Sequence, residues 1–210
     1  MTWCTLFFLL ASVYCLLSLA SHVVILIRSG NPVDFAPPSG RVRDGIKYSF
    51  TGAMSPLKKE SAFLHLPTYI AGLIYHLGTF LSVFLVFMLW ADVVLPRSLS
   101  WGFVAFLMIS AACGTGILIK RIIKKGLRKL SNPDDYLSNI LVTGFQILTA
   151  ISMIYSNFAL PWLFIWAGLL LLYIPLGKLK HLLYFFTARR QLGVFYGSRA
   201  VWPPNKNQMP

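Results

Sequence analysis

The chain has 210 residues, 57% hydrophobic and only 12% charged, with a mean hydropathy of +0.68. A soluble domain carries about twice that charged fraction, so composition excludes an ordinary soluble enzyme and indicates an integral membrane protein. The net charge of +13 does not indicate nucleic acid, because the bases form short clusters between long apolar runs, the pattern of membrane-flanking loops.

Taken in order, the chain predicts a single membrane domain, all-α, with five transmembrane helices. The first apolar run, about 3–27, has no basic segment before it and is too long for a signal-peptide core, so it reads as a span. Residues 29–60 are polar and rich in Gly and Pro, which predicts an ordered loop with one short surface helix. The second span, about 62–90, carries His65 and His76 and no acid or base. Pro67 falls in its first turns, where a missing N–H does least harm. A short link follows, flanked by Trp90 and Trp101 as interfacial anchors. The third span is about 101–119. The basic loop 120–135 then ends in Asn132-Pro133-Asp134-Asp135, read as a helix breaker. The fourth span is about 136–156, and a tight turn is expected over 157–161. The fifth span is about 162–186, kinked by Pro175 and Gly177. A basic tail, 187–210, closes the chain. Cys4, Cys15 and Cys113 all lie in apolar runs without a CxxC pair, so they read as small buried hydrophobes.

Five spans sort the loops onto two sides. Eighteen of the nineteen bases fall on the side holding 29–60, 120–135 and the tail, and only Arg97 falls on the other. The positive-inside rule then puts the N-terminus outside and the C-terminus in the cytoplasm of a cell inner membrane.

No acid lies inside the spans; apart from Lys178 and Lys180, which flank His181 and can snorkel to the surface, the charge-bearing side chains there are histidines, and such residues need a reason to be there. His65 and His76 are eleven residues apart. That is close to three helical turns, so they share a face about 16 Å apart along the axis. His181, near the cytoplasmic end of the fifth span, lies at the depth of His65. Two histidines on different helices at one depth can clamp one haem iron, so His65 and His181 are the candidate axial ligands. His76 has no histidine mate and is read as a ligand of a second haem or as a quinone contact. His22, near the cytoplasmic side of the first span, is the weakest ligand candidate and also reads as an interfacial polar residue. Without a CxxCH motif the haem would be b-type. The chain has no Rossmann glycines, no P-loop and no zinc spacing, so no complete active site of its own is expected. The rival class is a cofactor-free transporter or scaffold, which more often shows paired charges inside its spans.

Two stretches carry a family likeness: LHLPTYIAGLIYHLGTF at 64–80 and LLYIPLGKLKHLLYFFTARRQL at 171–192. They resemble the gamma (cytochrome b) subunit of respiratory nitrate reductase. The wider group includes membrane subunits of heterodisulfide-reductase-like and sulfite-reductase-associated complexes. The resemblance implies haem b on His65 and His181, with His76 serving an outer haem. The family supplies the second ligand of that outer haem from earlier in the fifth helix. Here that stretch, LFIWAGLL at 163–170, holds no histidine. The resemblance further implies electron transfer between membrane quinone, near His76 in the outer half, and cytoplasmic iron–sulfur or catalytic subunits.

Overall fold

The computed structural model describes residues 2–30, 34–56 and 63–204. Residues 31–33 and 57–60 of the expected loop, residue 62 at the head of the expected second span, and 205–210 of the expected tail lie outside the described residues. Among the described residues the secondary structure is helical. Five helices are long and apolar enough to cross a membrane: α1 (Trp3–Arg28), α3 (Leu66–Trp90), α4 (Arg97–Ile123), α6 (Pro133–Ile154) and α7 (Ser156–Tyr173). Shorter helices are α2 (Val42–Phe50), α5 (Lys125–Lys129) and α8 (His181–Ser198). Lipid offers no hydrogen bonds, so each spanning segment satisfies its backbone within itself.

The buried share of the most apolar stretch of each long helix runs from 11% in α1 to 39% in α6, so most of this apolar surface faces outward. Leu6, Phe84, Ile109 and Leu169 are among the exposed side chains. An exterior this apolar is stable only against lipid acyl chains. The chain is a multi-pass membrane protein.

By its contacts the chain divides into two compact units. The first comprises Met1–Ala20 and Pro67–Leu179. In it, α1 buries Cys4, Phe8, Ala11, Ser12 and Cys15, a stripe at helical spacing. Phe8 is fully buried and stacks on Phe164 of α7 with ring centroids 5.4 Å apart. Lipid removes the hydrophobic drive between helices, so close packing and polar contacts hold them. A Cβ at Gly78 would lie 2.0 Å from Ser110 Oγ, and one at Gly144 would lie 2.6 Å from the Trp166 ring. Trp166 Nε1–H donates to the Leu141 carbonyl at 2.8 Å.

The second unit comprises Ser21–Leu66 and Lys180–Pro210. Its centre is the α2–α8 pair, packed backbone to backbone. A Cβ on Gly45 would meet Gly193 O and Gly197 Cα, each at 2.4 Å, and one on Gly193 would meet Ile46 Cα at 2.5 Å. Gly193 and Gly197 form a GxxxG step on α8. Ser39 and Gly40 N–H groups donate to the Ser198 carbonyl, and Asp34 takes both terminal nitrogens of Arg199 at 2.7 and 3.0 Å.

Several boundaries differ from expectation. The third span extends at both ends, opened by the Ser100 N–H bond to the Pro96 carbonyl. Asn132–Asp135 does not break a helix but starts one: Asn132 and Asp135 form a reciprocal capping box, with Pro133 in the first turn. The expected turn over 157–161 is helical. Tyr155 alone separates α6 from α7, and Pro161 lies inside α7. The fifth long helix ends at Tyr173 rather than running to 186. The Leu176 and Gly177 N–H groups turn back to the Tyr173 carbonyl, so Pro175 and Gly177 terminate the helix instead of bending it. The first half of the expected tail is helical, as part of α8.

Candidate functional site

The structure puts His76 in the middle of α3 and exposed, on the outward side of the helix. Its Nδ1 lies 2.6 Å from the Gly72 carbonyl oxygen, one turn earlier. A carbonyl cannot donate, so Nδ1 carries the proton in this contact. A backbone carbonyl behind Nδ1 is the usual device for orienting a metal-binding imidazole and raising its basicity. An added Cβ at Gly72 would meet nothing within 4 Å. A flat group can therefore lie against α3 at this turn.

His65 occupies the turn immediately before α3 and is exposed. His181 is the first residue of α8, also exposed, and follows the break after Tyr173 instead of lying within the fifth long helix. His22, half-buried near the end of α1, is hydrogen-bonded through Nδ1 to the Tyr184 hydroxyl at 3.2 Å, with the two rings edge to face. Three of the four histidines, His22, His65 and His181, thus fall in the second unit, and His76 falls in the first.

The first unit also holds a polar seam that the sequence reading missed. The Tyr75 hydroxyl reaches the Asn139 carbonyl at 3.0 Å and Thr143 Oγ1 at 2.9 Å. Gln146, fully buried, donates through Nε2 to the Tyr75 carbonyl at 3.0 Å and to Thr79 Oγ1 at 2.9 Å. The pairs 75/143 and 79/146 advance together, so α3 and α6 run parallel. The signal was present in the spacing: Asn139, Thr143 and Gln146 recur at helical steps on one face of an apolar helix. At the head of α6, Asp135 is buried and ion-paired with Lys178 and with Arg121, the latter at 3.3 Å. Tyr173 donates to the neighbouring Asp134 carboxylate.

The donor set decides what metal chemistry fits. Among the described residues no group of three or more His, Cys, Asp or Glu could hold an ion. Metal sites built from side chains alone need such groups. Haem iron needs only one or two axial imidazoles, because the macrocycle fills the other positions. The oriented His76 imidazole and the open turn at Gly72 fit that requirement. Comparison with known protein families, with curated proteins and with solved structures finds no match. Function must therefore be argued from the site.

Proposed function

We propose that the chain is a b-type cytochrome subunit that carries electrons between membrane quinone and a cytoplasmic iron–sulfur partner. The observation that carries this reading is the His76–Gly72 contact: an imidazole oriented for metal ligation, on an exposed helix face beside an open glycine. His65 and His181 serve as the axial pair of a first haem, a reading supported by their membership of one compact unit. His76 serves a second haem or a quinone carbonyl, and the polar contact it makes through Nδ1 fixes which nitrogen faces the ligand. His22, already engaged by Tyr184, stands in reserve as a ligand.

Bound haem with two protein ligands supplies one-electron transfer and no open site for substrate. The chain's own residues, His65 with His181 and separately His76, would hold and orient that group. Electrons must therefore enter and leave through partners. The lopsided distribution of bases, eighteen of nineteen on one side of a five-span topology, supports an outside N-terminus and a cytoplasmic C-terminus in the inner membrane. It also fits an inward face that docks a soluble subunit.

The test is a reduced-minus-oxidised visible spectrum of the purified protein with pyridine haemochrome quantitation per chain. A Soret band with one or two haems b per chain is expected. A folded, monodisperse protein without a Soret band after expression with excess haem would refute the reading.

A further inference from the structure

The second unit contains a groove of about 510 Å³ between the last turns of α1 and one face of α8. Val23, Leu26 and Ile27 form one wall, Leu183 and Phe186 the other, and Thr187, Arg190 and Gln191 supply its polar positions. Its size is that of a small-ligand site. Its chemistry is amphiphilic, with an apolar channel along a membrane-spanning helix and a single cation beside a hydroxyl and an amide.

Arg190 is the informative residue. The other arginines of α8 and its end are engaged: Arg189 contacts Met54 and lies over the Phe185 ring, and Arg199 is paired with Asp34. Arg190 has no ion-pair partner among the described residues, and the residues lining the groove include no acid. A guanidinium beside an apolar channel calls for an occupant with an anionic head and an acyl chain. Planar donors suit a phosphate better than a neutral carbonyl. The wall contributed by α1 lies in its final turns, where the chain leaves the apolar span at Arg28, and this is the level of lipid headgroups.

We infer that this groove binds one anionic phospholipid, with its phosphate on Arg190 and Thr187 and an acyl chain along Val23 and Ile27. His76 is not among the residues lining the groove, and the site requires no haem, so it stands or falls independently of the electron-transfer reading.

The probe is spin-labelled phosphatidylglycerol, with labelled phosphatidylcholine as reference, added to the full chain in nanodiscs. Electron paramagnetic resonance measures the motionally restricted fraction. Wild type should hold a restricted phosphatidylglycerol component in preference to phosphatidylcholine. Arg190→Gln should cut that preference about five-fold, the weight of one surface cation. Arg190→Lys should retain most of it, and Arg43→Gln, at an exposed position of α2, should leave it unchanged. Circular dichroism of the Arg190→Gln protein should match wild type, since that side chain is exposed and forms no ion pair among the described residues. Equal binding of the two lipids by wild type would overturn the inference. So would equal losses in Arg190→Gln and Arg43→Gln, which would mean diffuse charge. Displacement of the label by a short-chain quinone at lower concentration than by unlabelled phosphatidylglycerol would overturn it in favour of a quinone site.

Discussion

Gly45→Ala tests how closely α2 and α8 approach. The added methyl would lie 2.4 Å from Gly193 O and from Gly197 Cα, and 2.8 Å from Gly197 N, all of them backbone atoms that no rotamer change can move. Ordinary contact begins near 3.4 Å, so the helices must separate by about 1 Å, enough to forfeit a quarter to a half of each dispersion contact across the seam. Overpacking of this kind costs about 1–3 kcal/mol. The substitution also gains about 1 kcal/mol of helix propensity. The net expectation is a loss of up to about 2 kcal/mol, or a fall in Tm of up to roughly 8 °C for a chain of this size. Gly116→Ala is the control, because a Cβ there meets nothing within 4 Å and only the propensity gain remains. The assay is thermal unfolding in detergent, with hydrogen exchange followed over 42–50 and 181–198. Gly45→Ala should speed exchange in those two segments and Gly116→Ala should not. If Gly45→Ala raises Tm as Gly116→Ala does, and exchange over α2 is unchanged, the backbone-to-backbone packing is refuted.

Haem content of single variants tests the ligand assignment: His65→Ala and His181→Ala should lose the same haem, and the double variant no more than either alone. His76→Ala should leave that haem and remove any second one; spectroscopically distinct losses from His65→Ala and His181→Ala would break the pairing and bring His22 into it. Asp135→Asn removes the charge shared by Arg121 and Lys178. Both partners retain solvent access, with side chains 33% and 54% exposed, so the expected cost is about 1–2 kcal/mol rather than that of a fully buried pair. It should appear as a lower Tm that a Lys178→Met change partly offsets. Sidedness is tested at exposed Pro37: in a chain otherwise free of cysteine, Pro37→Cys should resist a membrane-impermeant maleimide in intact cells and react after lysis. Full labelling of intact cells would invert the topology.

The spans were legible in the sequence because lipid imposes one local rule: a run of about twenty apolar residues must satisfy its own backbone, whatever it packs against. The histidines drew notice for the same reason, since an ionisable group in such a run is costly, yet only His22 and His76 lie within the long helices. Tertiary structure decided what depends on neighbours. Pro175 and Gly177 could equally bend a helix or end it, and the outcome at Tyr173 moved His181 from the fifth span to the head of α8. Asn132–Asp135 carries both turn and capping chemistry, and only its reciprocal hydrogen bonds make it a start. Glycines in helices look alike in sequence, yet Gly45 and Gly193 meet across a backbone contact while Gly72 and Gly116 face open space. The tautomer of His76 was likewise invisible in sequence, because it depends on which way the ring turns toward a carbonyl one turn away. Apolar composition selects helices in lipid, but short-range directional hydrogen bonds fix where they start and stop, and close packing between segments far apart in sequence fixes which faces meet.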